Sequence, residues 1–464
     1  MLKSTSKSTS KTKLSRLSKS GTSGSSTSSS TGRSSGKRKR ATQDLDPQKT
    51  KTSSQKRKRI SKNDEGPKKK RWVRPESPDP VEQKLPQWVS HNHARRRRLR
   101  EEAKPDAFHA TIDSAHRQKL AHFAQIVHTD FDTDIMLKHT SGYLCRDRVD
   151  EETRRLRPVL ALDDLVGENS KYKFKILKAD MENTGPTLIA DIHRRVYITR
   201  IPPPASDSTF METVDLAASV LEQYRPYLFN ADQPPELHRR GDFPVAPIGI
   251  SYGGGQQGAK RIYHPEKSLK ALDEICKISC FSRLAGHATK AFAAWAPNLY
   301  SFYVGYMQRL VTMIPDIAFN WGSSIFACVT LNFGPRTTTI KHNDFMNYIS
   351  GWCCITALGK FDFVCGGHMV LWDLGLVIEF PPGWTLLIPS AYLLHSNTAI
   401  GPDETRYSFT QYSAAGLFRV IDDNGVARNK MSGEQLANAE QLQRERVTEA
   451  LLRYSTLEDL LDMN

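Results

Sequence analysis

NFGPRTTTIKHNDFMNYISGWCCITALGKFDFVCGGHMVLWDLGLVIEFPPGWTLLIPSAYLLHSNTAIGPDETRYSFTQY, residues 332–412, is the stretch whose reading decides the fold. With the residues just before it, it breaks into short β-rich runs: IFACVTLN (325–332), WCCITAL (352–358), GHMVLW (367–372), LVIEF (376–380), WTLLIP (384–389) and RYSFTQY (406–412). Turn signals punctuate them at Gly334-Pro335, Gly366-Gly367, Pro381-Pro382-Gly383 and Gly401-Pro402. Many short strands with this punctuation predict a sandwich or barrel.

Four residues in the stretch carry chemistry. His342 and Asp344 stand two apart, His395 follows 53 residues later, and Arg406 lies 11 beyond that. At roughly six residues per strand plus turns, the 53-residue gap holds about four strands, so the two histidines can share one end of a barrel. Two imidazoles and one carboxylate leave three coordination positions open, the donor set of non-haem Fe(II) oxygenases. In the last strand Arg406, Ser408 and Thr410 alternate with Tyr407, Phe409 and Gln411, which puts Arg406 and Ser408 on one face. An arginine there can grip a carboxylate through paired hydrogen bonds.

The triplet alone is weak, because about one His-x-Asp is expected by chance in a chain of this composition. His128-Thr129-Asp130 is a second one. It follows AHFAQIV in a stretch that reads as helix, no strand-borne His and Arg follow it at matching distances, and it reads as ordinary surface.

The residues then carry a resemblance. RRGDFPVAPIGISYGGGQ (239–256), AWAPNLYSFY (294–303), LNFGPRTTTIKHND (331–344), GWCCITALGKFD (351–362), GGHMVLWDLGLVIEFPPG (366–383), LIPSAYLLHSNT (387–398) and ETRYSFTQYSAAGLFR (404–419) together resemble the TET/JBP-like Fe(II)/2-oxoglutarate-dependent dioxygenases, in their fungal, transposon-associated expansion. The resemblance covers roughly 155–420 and departs at Gln257-Gly258-Ala259, where proline is expected. It implies an α+β chain whose core is a double-stranded β-helix (jelly-roll or cupin-like) braced by helices. It implies Fe(II) on His342, Asp344 and His395, 2-oxoglutarate against Arg406 with Ser408 and His368 assisting, and O2 as co-substrate. His368 shares a strand face with Val370 and Trp372 and, pointing inward, would reach the bound keto acid; a structural core histidine is the other reading. The implied substrate is a methylated nucleobase in DNA, 5-methylcytosine first and N6-methyladenine second. A protein or RNA hydroxylase on the same fold, or a catalytically inactive transposon-associated DNA-binding protein, are the alternatives.

Charge divides the chain. Residues 1–104 hold 30 Lys and Arg against 9 Asp and Glu, so the whole-chain net charge of +16 belongs to that segment and the remainder is mildly acidic. Residues 1–60 are mostly Ser, Thr and Lys with almost nothing to bury, which predicts a long disordered basic N-terminal tail. Basic clusters at 37–40, 56–59, 67–71 and 95–98 read as nuclear-import signals or phosphate contacts, giving nuclear localisation with DNA and the import machinery as partners. The sequence shows no membrane span. Seven scattered cysteines suggest a reducing compartment, and Cys276 with Cys280 lacks a second pair for a metal site, so buried free thiols are expected.

The expected domains are therefore a tail (1–104), an N-terminal α/β region with helices bracing the barrel (105–320), the dioxygenase core (321–420) and a C-terminal helical segment (421–464). Residues 105–130 read as helix and 187–201 as one strand ended by Pro202. Thr209 to Glu212 forms the pattern of a capping box, opening a helix closed by Pro226. Further helices are expected over about 269–283, from Pro297 to before Pro315, and after a second capping box at Ser432 to Gln435. The aromatic residues Phe292, Trp295, Tyr300, Phe302, Tyr303 and Tyr306 read as packing against a sheet. The loop with Arg239, Arg240 and Gly253 to Gly255 is either a nucleotide contact or a tight turn on the barrel.

Overall fold

Eight successive strand segments cross back and forth between two facing sheets, the fourth and fifth staying in the same one, and this order defines the fold. The computed structural model describes residues 114–461 apart from 138–141, 184, 231–236, 254–255 and 257; the expected basic tail, Gly254 and Gly255 lie outside the described residues. The strands are β1 (Gln125–His128), β2 (Lys175–Leu177), β3 (Thr187–Ala190), β4 (Val196–Ile201), β5 (Val245–Ser251), β6 (Lys260–Arg261), β7 (Cys328–Asn332), β8 (Cys353–Lys360), β9 (Met369–Leu371), β10 (Leu376–Ile378), β11 (Thr385–Ile388), β12 (His395–Asn397) and β13 (Thr405–Tyr412). The larger sheet runs β1-β3-β4-β11-β8-β13-β7-β5-β6, and the smaller runs β12-β9-β10-β2. His342 pairs with His395 and so extends the smaller sheet beyond β12. In chain order β7, the His342 segment, β8, β9, β10, β11, β12 and β13 give a four-stranded face β11-β8-β13-β7 opposite a face built on β12, β9, β10 and the His342 segment. That is a double-stranded β-helix. Four strands lie between the two histidines, as the spacing predicts.

Helices of eight or more residues are α1 (Ser114–Ala121), α2 (Phe210–Leu228), α3 (Glu266–Lys277), α4 (Ser279–Trp295), α5 (Pro297–Met313), α6 (Ala415–Asp422) and α7 (Gly433–Ala450). On α2, α3 and α4 the residues Val214, Leu221, Ile275, Phe281 and Leu284 pack with Val329, Leu331, Leu358, Tyr407 and Phe409 of the larger sheet in one apolar cluster. Because side chains alternate along a strand, burying Tyr407 and Phe409 under helices turns Arg406, Ser408 and Thr410 toward the smaller sheet. On the opposite side Val370 and Val377 pack with Leu165 and Trp372. The aromatic row of α4 and α5 packs on the core, though these ring contacts are not with strand residues: Phe292 lies 5.7 Å from Trp352, just before β8, and Phe302 stacks on Phe418 of α6 at 5.7 Å. Among the described residues no helix is long and apolar enough to cross a membrane.

Several local expectations fail for identifiable reasons. Only Ser114–Ala121 of the expected 105–130 helix is helical among the described residues; Gln125–His128 is an edge strand parallel to β3, which backbone pairing with Thr187–Ala190 draws out of helix. The expected single strand 187–201 is a hairpin of β3 and β4. Its turn is held by Asp191, whose Oδ1 accepts from the backbone N–H of His193 and Arg195 at 2.9 and 2.8 Å, with Arg194 at φ 60°. Thr209 caps no backbone N–H; its hydroxyl donates to Asp207 Oδ1 at 2.9 Å, and Asp207 is itself paired with Arg283. Pro226 does not end α2, which runs on to Leu228, since a proline in the last turn forfeits only one ladder bond. The expected helix over 269–283 is two, broken where Ile278 takes an extended backbone between α3 and α4. The capping box at Ser432 forms as expected, with Gln435 N–H on Ser432 Oγ at 3.2 Å. All seven cysteines are free, yet Cys365 is exposed and Cys276 only half-buried.

The C-terminal segment docks on the main core through Leu451, Tyr454, Leu457 and Leu460. Leu457 is 1% exposed whereas Leu452 is 71% exposed. Leu457→Ala is expected to cost about 2–5 kcal/mol in urea unfolding. Leu452→Ala should stay within about 0.5 kcal/mol; equal effects would show that the segment does not pack here.

Candidate metal centre

His342 and His395 meet as a reciprocal backbone pair: each N–H donates to the other's carbonyl, at 3.0 and 2.8 Å. Their ring centroids are 4.2 Å apart. Each Nδ1 sits against a main-chain carbonyl two residues back, Ile340 at 2.7 Å and Leu393 at 2.8 Å. A carbonyl only accepts, so both Nδ1 atoms carry hydrogen and both Nε2 atoms present lone pairs. Those Nε2 atoms lie 4.0 and 3.8 Å from the two oxygens of Asp344, and the three donor atoms fall within 4.8 Å of one another. Asp344 N–H donates to Ser390 O at 2.7 Å, which fixes its backbone. Between the ligands, Asn343 bonds Arg146 O at 2.9 Å and Ala391 O at 2.8 Å through its amide, and its Oδ1 accepts from Arg148 N–H at 3.0 Å.

The electrostatics suit a cation. All three side chains are buried. Burial, then the neighbouring His395, drives the His342 pKa well below its ordinary value, and burial lowers that of His395 against the pull of Asp344. Both imidazoles are therefore neutral ligands near neutral pH. Burial alone would raise the Asp344 pKa, but Arg239 and the two imidazoles outweigh it and hold the carboxyl well below the usual range. Arg239 Nη2 donates to Asp344 Oδ1 at 2.8 Å. Two neutral imidazoles and one carboxylate fit Fe(II).

Arg406 lies on the inner face of β13, 1% exposed. Its Nη1 donates to Thr337 O at 3.1 Å, while Nε and Nη2 have no partner among the described residues. Burial pushes its pKa down to about 10. A buried cation with two idle donors fits a carboxylate ligand such as the far end of 2-oxoglutarate. Ser408, two residues on, accepts from Asn332 Nδ2 at 2.7 Å. His368 is fully buried, with Nδ1 on Thr398 Oγ1 at 2.8 Å and Nε2 without a partner; burial lowers its pKa to about 4. Val370 and Trp372 belong to the outer cluster, so strand alternation does not bring His368 inward as the sequence suggested. Just before it, Gly367 stands at φ 72°, where a Cβ would lie 2.6 Å from the Phe361 ring and 3.3 Å from Arg406 Cδ.

Of the site residues expected from the sequence, the structure thus gathers His342, Asp344 and His395 into one cluster and sets His368 beside the chain turn that touches Arg406. Arg239, read from sequence as a phosphate contact or part of a tight turn, is in the turn and on Asp344. Asn343, Thr337 and Asn332 went unread. The one available signal was the middle residue of His342-Asn343-Asp344, a short amide able to bond backbone on both sides. The other triplet is not helical: His128 ends β1. Asp132, Asp134 and His193 also approach one another, but at the surface, with Asp134 taken by Arg195 at 2.6 Å.

No family model matches the chain, and no curated protein does. Among solved structures, NgTET1 in complex with 5mC DNA is similar at 13% identity over 52% of this chain and 83% of that one, with a TM-score of 0.36. The viral collagen prolyl hydroxylase vCPH from Paramecium Bursaria Chlorella virus-1, as a 2OG complex, is 11% identical over 46% and 94%, with a TM-score of 0.23. OsALKBH1 is 12% identical over 42% and 91%, with a TM-score of 0.24. At such scores the strand order, and not the likeness, carries the fold.

Replacing Asp344 by Ala removes the only anionic donor of the cluster. Calorimetry with Co(II) should show affinity reduced about 100-fold or more relative to wild type, with the circular dichroism spectrum unchanged. Undiminished binding would place the metal elsewhere.

Proposed function

We propose that the chain is an Fe(II)/2-oxoglutarate-dependent dioxygenase that oxidises a methylated nucleobase in DNA, 5-methylcytosine foremost and N6-methyladenine second. The observation that carries the enzyme class is Arg406: a buried guanidinium with two idle donors, on the inner face of the barrel that also holds a buried His-Asp-His cluster. His342, Asp344 and His395 would hold the iron, and Arg406 would take the far carboxylate of 2-oxoglutarate, with Ser408 and His368 as the nearby polar groups. When bound, iron and 2-oxoglutarate together supply an oxidant for an unactivated C–H bond, releasing succinate and CO2.

The chain's own residues do the rest. The carbonyls of Ile340 and Leu393 hold both imidazoles in the tautomer that offers Nε2. Thr337 O fixes one arm of Arg406 and leaves the others to orient the co-substrate. All three donor side chains are buried, which limits the access of competing water.

The substrate reading rests on the sequence resemblance over 155–420 and on the basic clusters of residues 1–104, which would add phosphate contacts without reading sequence. A base inside a duplex cannot reach a barrel interior, so the target nucleotide would be flipped out. The same clusters make the nucleus the proposed location.

Arg406→Lys keeps the charge but loses the fork. It should weaken 2-oxoglutarate binding to the metal-loaded protein by tenfold or more, about 1.4 kcal/mol, without displacing iron; unchanged affinity would remove Arg406 from the co-substrate site. For the substrate, a methylated duplex incubated with protein, iron and 2-oxoglutarate is read by mass spectrometry. Hydroxymethylcytosine supports the proposal. Succinate formed without any modified base points to a protein or RNA substrate, and no succinate at all to a non-catalytic binder.

A further inference from the structure

We infer that Arg239 is a positioning residue that keeps Asp344 a one-oxygen ligand, so that the metal retains three open positions. The inference rests on the dioxygenase reading above. A carboxylate can bind a metal through one oxygen or two. Two histidines and a chelating carboxylate would fill four of six positions, and a chelating keto acid would fill the last two. Nothing would then remain for O2. A one-oxygen Asp344 avoids this.

The structure supplies a device for that restriction. Arg239 Nη2 donates to Asp344 Oδ1 at 2.8 Å, and its Nη1 donates to Asn343 O at 2.6 Å. Its guanidinium carbon sits 5.2 Å from the Phe345 ring centroid. One side chain therefore touches three consecutive residues of the ligand loop. Oδ1, 4.0 Å from His342 Nε2, already accepts a hydrogen bond from a cation, while Oδ2 accepts none among the described residues and lies 3.8 Å from His395 Nε2. A loose surface ion pair would contribute little and fix no geometry, yet this one is held at both ends.

Arg239 stands in a turn closed by mutual backbone bonds of His238 and Gly241, at 3.3 and 3.1 Å. Ile340 N–H donates to Arg240 O at 2.9 Å, which ties the turn to the strand segment entering the site. Arg157 Nη2 bonds His238 O at 2.8 Å from outside. At Gly241 a Cβ would lie 2.6 Å from the Phe243 ring and 2.8 Å from Thr338 O, so the turn seats against the ligand segment only with glycine there. The Asp344 side is fixed by Ser390 O.

The test uses the full chain loaded with Co(II), whose visible absorption reports coordination number, and titrated with 2-oxoglutarate. Wild type, Arg239→Ala and Arg239→Lys are compared; the side chain is 41% exposed, so truncation leaves no buried void. Arg239→Ala is expected to keep Co(II), with affinity lowered by about tenfold. It should show a changed Co(II) spectrum before 2-oxoglutarate is added and, with 2-oxoglutarate bound, the weaker visible absorption of a fully six-coordinate ion. Arg239→Lys, which can reach Oδ1 with one donor, should fall between the two. An Arg239→Ala protein whose Co(II) spectrum matches wild type both before and after 2-oxoglutarate is added overturns the inference, even if its metal affinity drops. Wild type that binds neither Co(II) nor 2-oxoglutarate overturns the dioxygenase reading and this inference with it.

Discussion

A pair of backbone hydrogen bonds joins His342 to His395 across 53 residues of chain. The two side chains meet because the main chain pairs there, and the main chain pairs because the chain crosses back and forth between two sheets folded over one another. Every later feature inherits this register. A slip of the His342 segment by one residue would turn its imidazole to the opposite face of the sheet, away from that of His395, and Asp344, two positions on, would lose Ser390 as its backbone partner. The ligand set is therefore a product of sheet topology, and the Nδ1–carbonyl bonds only refine the direction in which each ring points.

Two buried arginines show how the same fold separates structure from function. Arg200 and Arg406 are each 1% exposed, and burial pushes the pKa of each down to about 10. Arg200 is nearly satisfied: Glu379 O at 2.9 Å, Lys178 O at 2.9 Å and Thr187 Oγ1 at 3.1 Å surround it, leaving Nε alone idle. It ties β2, β4 and the residue after β10 together. Arg406 has one carbonyl and two idle nitrogens. Leaving a buried charge half-paired is costly, and in the proposed role that cost would be recovered when the co-substrate carboxylate binds. The number of empty donors, not the burial or the pKa, distinguishes the two roles.

Much of this was legible in the residues. The punctuated strands, the distance between the histidines and the alternation of Arg406 with Tyr407 all depend on period-two patterning, which is local and strong. What was lost depended on contacts far away in sequence. Asp191 folds 187–201 into a hairpin through backbone bonds that no periodicity reveals, and Gln125–His128 became strand because an edge of β3 was waiting for it. Thr209 matches a capping box, but Arg283, 74 residues on, recruits Asp207 and the Thr209 hydroxyl into a different network. Period-two counting gives His368 and Val370 one inward face, whereas Val370 packs in the outer cluster with Leu165 and Val377.

The middle residue of the metal triplet shows how the two kinds of information meet. His-x-Asp is worth little as a pattern, and this chain holds it twice. In His128-Thr129-Asp130 the middle hydroxyl bonds Ala190 O at 2.9 Å, stitching an edge strand to its neighbour. In His342-Asn343-Asp344 the middle amide spans outward to Arg146 and Ala391, while its oxygen takes Arg148 N–H. Residues 143–148 thereby lie as a strap across the ligand loop: Cys145 N–H donates to Phe345 O at 3.1 Å, and Ile349 N–H donates to Tyr143 O at 2.9 Å. The strap is anchored in turn, because Tyr143 and Tyr306 both donate to Asp422 at 2.8 Å, at the end of α6. With Arg239 on the other flank, the loop that carries Asp344 is gripped from both sides by segments distant in sequence. A triplet so held can keep its two donor atoms in place beside His395 before any ion binds, and a triplet on an exposed edge strand cannot.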